Sequence, residues 1–433
     1  MSGIGTLFRS LRHPNYRLFF IGQAASLVGM WLQLTAQSWL IYRLTNSAAA
    51  VGLMTFAMQG PGLFLGPFAG ALADRHEKRR ILVIAQALAM IPALALGLLA
   101  LAGVVRPWHI IALAFASGLA RSFEIPTRQA FIHELVEPRD LANAIALNSA
   151  LFNGARLVGP PVAGVLILLV GEAWCFLANA ASYTAIVAAL LALRLPQHDP
   201  KSRQGTSIFT EIREGLSYVR QRPGILSLLG IVAVGACAGM PYSVLLPSFA
   251  NRMLGGGPLT YSYLLVAVAI GAVAGALTLA SRSVVSGLER WAVGAGVSFG
   301  FWLMAVSTTR SVLLAIVCLI PMGFSFMIQM ATTNTLLQTL APDHLRGRIM
   351  SLHTWAFLGL FPVSSLLTGA LADRYGEAAV LATGGLLVAT STVFLGRFTL
   401  RHVPAALASA RSRTPHSSME TEGTSAAVSE SQS

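Results

Sequence analysis

The sequence predicts an all-α membrane protein, with twelve transmembrane helices in two six-helix bundles. Three observations predict it. Of 433 residues, 55% are hydrophobic and only 11% charged, where soluble domains carry about 25% charge. The apolar residues gather into twelve runs, each close to the roughly 20 residues a helix needs to cross a bilayer. A polar stretch, Pro196–Pro223, separates the first six runs from the last six. Such a composition excludes a disordered chain, a nucleic-acid-binding module and most soluble enzymes.

The spans fall near 18–42, 50–73, 81–104, 108–126, 143–170, 173–195, 225–249, 260–281, 291–308, 312–338, 350–372 and 378–397. Each is long enough for a helix that closes its own backbone hydrogen bonds in lipid, which an open strand cannot do. The first run is too long for the apolar core of a signal peptide, so it is expected to remain as a span. Twenty-four of the thirty lysines and arginines fall on segments of one parity. Only Arg43, Arg106, Arg252, Arg310 and Arg374 fall on the other, and Arg156 lies inside a span. Basic residues stay in the cytoplasm, so both termini are expected there. The net charge of +13 is then topology, not a nucleic-acid surface.

The expected organisation is a cytoplasmic segment 1–17, a bundle 18–195, a central cytoplasmic loop 196–223, a second bundle 224–397, and a disordered cytoplasmic tail 398–433. Within the loop, apolar residues at 209, 212, 216 and 219 predict a helix lying at the membrane surface. A weak repeat supports two like halves: Gly164, Gly171, Glu172 and Ala173 recur 205 residues later as Gly369, Gly376, Glu377 and Ala378. Parallel repeats of this kind place a substrate site at their interface near mid-membrane. Cys175, Cys237 and Cys318 all lie in apolar runs and form neither a disulfide framework nor a metal site. No P-loop or H-E-x-x-H string occurs. The chain is therefore expected to be no enzyme, to need no cofactor and to use no ATP directly.

Gly70-Ala71-Leu72-Ala73-Asp74-Arg75-His76-Glu77-Lys78-Arg79-Arg80 follows the second span. It resembles the G-x-L-x-D-R-x-x-K/R-R-R loop of the major facilitator superfamily, with Glu77 where a small residue is commoner. The resemblance implies the major facilitator fold. It also implies a latch between the halves on the cytoplasmic side, carried by Gly70, Asp74, Arg75 and Arg79. Three further stretches, Glu124-Ile125-Pro126-Thr127-Arg128-Gln129-Ala130-Phe131, Gly159-Pro160-Pro161-Val162-Ala163-Gly164 and Leu345-Arg346-Gly347-Arg348, are similar to one branch of that superfamily. This branch holds enterobactin-type siderophore exporters, macrolide efflux proteins and lysophospholipid transporters. It implies a multi-pass bacterial inner-membrane protein that works as a monomer by proton antiport. Gly159-Pro160 also matches the family's antiporter motif, which implies a kink that seals one face; simple helix packing is the alternative. Arg121 and Glu124, three residues apart, can pair on one helical face, and with Asp74 they form the nearest titratable cluster. Gly369-Ala370-Leu371-Ala372-Asp373-Arg374 looks like a second copy of the loop string, but its parity places it on the outer side, against the same role.

Polar residues inside the spans nominate the cavity. Gln23, Ser26, Met30, Gln33 and Gln37 share about 80° of one helical face. Lipid cannot satisfy their amides, so they are expected to line a wet cavity or to bond between helices. Ser149, Asn153 and Arg156 share a side of the fifth span. A mid-span charge costs at least about 2.5 kcal/mol on insertion scales, so Arg156 is expected to meet an anionic substrate group or a structural partner. Ser325 and Gln329 share a face of the tenth span with Met322 and Thr332. Trp31, Phe56, Met58 and Tyr242 suit a bulky apolar ligand. The function expected is secondary export, by alternating access, of a small hydrophobic compound (a drug or macrolide-like molecule) or a siderophore. A lysophospholipid flippase and a nontransporting sensor or scaffold are the alternatives.

Overall fold

A computed structural model describes residues 8–194, 208–282 and 286–411. Among the described residues twelve helices are long and apolar enough to span a membrane. They are α1 (Pro14–Thr45), α2 (Ala48–Arg75), α3 (Lys78–Leu101), α4 (Pro107–Leu135), α5 (Leu141–Val170), α6 (Glu172–Ala192), α7 (Pro223–Met253), α8 (Pro258–Ala280), α9 (Leu288–Thr308), α10 (Val312–Leu340), α11 (Arg346–Tyr375) and α12 (Glu377–Arg411). Wider π turns interrupt α7 at Gly235–Gly239 and Phe249–Met253, and α11 at Trp355–Gly359.

Two helices outrun their expected ends. α4 continues through Pro126, because Phe131, Ile132 and Leu135 beyond it are buried in the core of the first half. That packing outweighs the hydrogen bond lost at proline. α12 continues past 397, and this corrects the expected tail: Val403 and Leu407 sit one turn apart and are buried against Ile225, Leu288 and Leu345. The charges of Arg397 and Arg401 hide this period in the sequence. The remainder of the expected tail, from residue 412, lies outside the described residues, as does 195–207 of the central loop. The rest of that loop carries the surface helix Ile208–Arg220, whose Val219 is buried and whose Glu214 pairs with Arg348 of α11.

The apolar cores show how the twelve helices are arranged. Both ends of the described chain lie on one face, called here the terminal face; the other is the distal face. Near the terminal face there are two separate cores. One, around Tyr16, Phe19, Leu82 and Phe131, draws only on residues 11–193. The other, around Leu228, Leu288, Leu336 and Val403, draws only on residues after the central loop and the surface helix. Toward the distal face a single core joins both halves, with Trp39, Tyr42 and Phe176 packed among the same cluster as Tyr242, Phe249, Tyr261 and Phe326. The halves therefore meet at the distal side and part toward the terminal side.

Close backbone approach makes the distal contact. α2 and α11 run antiparallel across it: a side chain at Gly52 would strike the Ser365 carbonyl, and one at Gly369 the Ala48 carbonyl. α5 and α8 cross likewise, with Gly164 against Ser262. Small residues let helices approach where lipid offers no hydrophobic drive to associate them. The α12 extension gives a test. Truncation after residue 411 should leave the thermal midpoint in detergent unchanged, whereas truncation after residue 397 should lower it by several degrees, because it deletes two buried side chains worth about 1–3 kcal/mol each.

Candidate substrate cavity

The parting of the halves can be followed along one face of α5. At 100° per residue, Ile145, Ser149 and Phe152 lie within about 40° of Arg156, and all three are exposed. Gly159, Pro160, Ala163 and Ile167 continue the same face distally, and all four are buried. The opposite face, at Ala150, Gly154, Val158 and Val165, is exposed along the whole length, as expected of a lipid-facing surface. The Arg156 side is therefore open space on the terminal side and closed protein on the distal side, and Arg156 sits at the change. α2 gives the same picture. Its contact with α11 persists as far as Leu63 against Gly359, while a side chain at Gly66 or Gly70, on the same face, would meet nothing.

Aromatic side chains frame Arg156. Its guanidinium lies over the Trp31 ring, 5.8 Å from the centroid, and Phe152 meets the same ring edge-on at 5.9 Å. α1 can come this close because residue 159 is glycine: a β-carbon there would sit 2.4 Å from that of Trp31. Gly159 thus lets α1 pack closely on α5 in this conformation. Across the divide, the phenol of Tyr242 on α7 is buried and within electrostatic reach of Arg156. Among the described residues, Arg156 forms no ion pair. Asn153 is half-buried and bonds the Ser149 carbonyl of its own helix at 2.9 Å.

The polar stripe of α1 lies elsewhere. Asn179 of α6 donates to Gln33 at 2.6 Å, Gln33 donates to Gln37, and Gln37 donates to the Ile110 carbonyl of α4 at 3.3 Å. Gln23 and Ser26 are buried as well, and Met30 is half-buried. Of the two expected settings for this stripe, Gln33 and Gln37 occupy the interhelical one. In the second half Gln329 is fully buried among α7, α9 and α10, beside Gly235 and Gly296, and Ser325 bonds Ser298 of α9 at 2.9 Å. Trp31, apolar by type, is the ring that lies under Arg156, and Phe152 meets that ring. An amide stripe reports only that a face avoids lipid.

The loop string after α2 binds its own half. Arg79 donates to the Leu191 and Leu193 carbonyls at the end of α6, and Lys78 pairs with Glu134 of α4 at 2.7 Å. Arg75 is exposed, and the side chain of Asp74 lies outside the described detail. Glu124 pairs with Arg128 at 3.2 Å, one turn on, in place of the expected Arg121; both Glu124 and Arg121 lie within electrostatic reach of Tyr183.

The second copy of the string does what parity obscured. Asp373, at the end of α11, accepts hydrogen bonds from Ala48 N–H at 2.8 Å and Ala49 N–H at 3.0 Å, at the start of α2, and from the Ser47 hydroxyl. Arg252, at the end of α7, pairs with Glu377 at 3.0 Å, lies 3.8 Å from Asp373 and donates to the Asn46 carbonyl. It also covers the Tyr42 ring, whose hydroxyl donates to Asn251 at 3.2 Å. These groups tie the α1–α2 turn to the second half on the distal face. The usable signal in the sequence was Ser47 ahead of α2, a helix cap, together with the string itself.

Residues 5–428 match the family described as transmembrane secretion effector. The chain belongs to this family of the major facilitator superfamily. It is similar to the staphyloferrin A transporter of Staphylococcus aureus, 25% identical over 83% of this chain and 90% of that one. It is similar to the multidrug efflux pump Tap of Mycolicibacterium fortuitum, 28% identical over 89% and 96%. The enterobactin exporter EntS of Escherichia coli is 28% identical over 79% and 81%. Among solved structures, a D-xylose–proton symporter superposes with a TM-score of 0.66 at 13% identity, over 88% of this chain and 97% of that one. A bacterial homologue of the lysosomal transporter Spinster, in an inward-facing conformation, superposes at 0.64 with 14% identity over 92% and 97%. The superfamily fold is thereby shown, and the chain is a multi-pass membrane transporter and no enzyme.

The Gln33–Asn179 bond separates structural from cavity roles. Asn179→Ala strands a buried amide oxygen, which costs about 1–3 kcal/mol, so it should lower thermal stability, and a double-mutant cycle with Gln33→Ala should show coupling. Phe152→Ala should leave stability nearly unchanged and raise KM for transported compounds.

Proposed function

We propose that this chain is a secondary exporter that carries a small, largely apolar compound or a siderophore out across the bacterial inner membrane by alternating access. The observation that carries this is the divided core: two separate apolar clusters on the terminal side, one joined cluster on the distal side, and Arg156 where the open face of α5 becomes buried. The basic residues assign the terminal face to the cytoplasm, so the open cavity loads from inside the cell. The names of two similar proteins, a multidrug efflux pump and an enterobactin exporter, support the outward direction.

In this proposal the chain works as a monomer, and protons enter as substrate leaves. The half-buried Glu124–Arg128 pair beside Arg121 is the titratable group of the first half proposed to take part in that exchange. The loop string with Asp74 latches the cytoplasmic face when the cavity turns outward.

A deletion strain and its complement should differ in export of at least one of a panel of dyes, macrolides and catecholate siderophores, measured as intracellular retention. Asp74→Asn should cut that export severalfold at normal expression. Identical retention in both strains for every compound would remove the exporter assignment, as would a reporter fused after residue 411 that is found outside the cell.

A further inference from the structure

We propose that the cavity takes an amphipathic organic anion, a carboxylate or acidic phenol on an apolar body, and that its export moves negative charge outward; this rests on the transporter assignment above. Arg156 is the reason. It stands mid-span, and among the described residues it has no carboxylate partner. The Trp31 ring is its one described contact. Acids on the membrane helices pair elsewhere or lie toward helix ends: Glu124 with Arg128, Glu134 with Lys78, Glu172 with Arg43, Glu377 with Arg252. A ligand that enters displaces the water around this guanidinium. An anionic group replaces that hydration with a charge-assisted pair, while a cation meets a like charge and no counter-charge. Trp31 and Phe152 supply the adjoining apolar surface.

Charge also bears on drive. One negative charge moving outward through an inside-negative potential of about 100 mV gains roughly 50-fold in concentration ratio. An exporter of anions therefore needs no acid buried in the cavity, and none is found on the Arg156 face among the described residues. An inward proton would move charge in the same direction, so the two couplings add.

The test uses the purified full chain in liposomes at equal pH on both sides, with a potassium–valinomycin potential and two probes, a carboxylate dye of the fluorescein class and the cation ethidium. Anion flux should follow the sign of the potential, and ethidium should not move. Arg156→Gln should lose at least tenfold of the anion flux at unchanged thermal stability, and Arg156→Lys should keep most of it. Ethidium flux that equals anion flux, or anion flux indifferent to Arg156→Gln or to the potential, overturns the proposal and leaves the exporter assignment intact. If neither probe moves while cells still export compounds of the panel, the anion proposal alone fails; if cells also show no export, both fail.

A separate observation carries a second proposal: the Gly369–Arg374 string is a distal clasp that holds the outer side shut. Asp373 caps the start of α2 across the divide, and Arg252 ties the same turn to Glu377. The bonds of Asp373 to Ala48 and Ala49 and of Arg252 to the Asn46 carbonyl join one half to the other, so these must break for the distal side to open, while Glu377, in the same half as Arg252, holds that guanidinium in place. Spin labels at Val104 and Arg310, exposed distal positions on opposite halves, report the opening, with Cys175, Cys237 and Cys318 replaced by alanine. Asp373→Asn should raise the long-distance population severalfold, and Asp74→Asn should not. Arg252→Gln, which removes the cation and leaves the cap, should act in the same direction and serves if Asp373→Asn expresses poorly. Distance distributions that match the parent protein in both variants would overturn it.

Discussion

The closeness of helix backbones at the distal side governs the rest of this molecule. In lipid there is no hydrophobic gain from bringing two apolar helices together, so contact depends on shape and on polar bonds. Here Gly52, Gly369 and Gly164 remove the side chains that would keep α2 from α11 and α5 from α8. One apolar core then forms across both halves. Among the described residues no such glycine contact between the halves lies beyond Leu63 and Gly359, and there the halves separate into cores of their own. The cavity is thus the consequence of where the small residues stop.

The same constraint sorts the polar residues. A buried amide has to find a partner, and within a half the nearest partner is another helix. Gln33 and Gln37 find Asn179 and a carbonyl of α4; Ser325 finds Ser298. Each half is stiffened by its own bonds, which is what a body that moves as a unit requires. Bonds between the halves are of another kind. Those of Asp373 and Arg252 are ionic or capping, they sit at the rim, and they are partly exposed, so water can take them over when they break.

Much of this was legible in the sequence. The twelve spans, their parity, the surface helix at 208–220 and the place of Arg156 follow from apolar period and charge count. The direction a polar stripe faces was not legible, because period gives an arc and not a neighbour. Gln33 and Trp31 are two residues apart and point to different worlds, one to α6 and one to the cavity. The helical run of α12 past Arg397 was hidden because charges interrupt the apolar run that hydropathy follows, although Thr399, Val403 and Leu407 keep a helical face. The pairing of Glu124 was legible only as a choice between two basic neighbours on one face.

The second loop string shows what parity alone leaves out. Parity puts Asp373 on the face away from the termini, and that is its side here. It does not tell that α2 and α11 are antiparallel neighbours across the divide. In such a pair, each helix ends beside the start of the other, so a carboxylate at either carboxyl end faces the positive end of a helix dipole. Asp373 uses that relation now, on Ala48 and Ala49. Asp74 occupies the equivalent position at the other end of the pair, where Gly66 and Gly70 face open space. Both ends cannot be closed together without sealing the cavity from both sides. In the transport cycle proposed above, two copies of one short string, on two antiparallel helices, would give the transporter its two alternative closed ends.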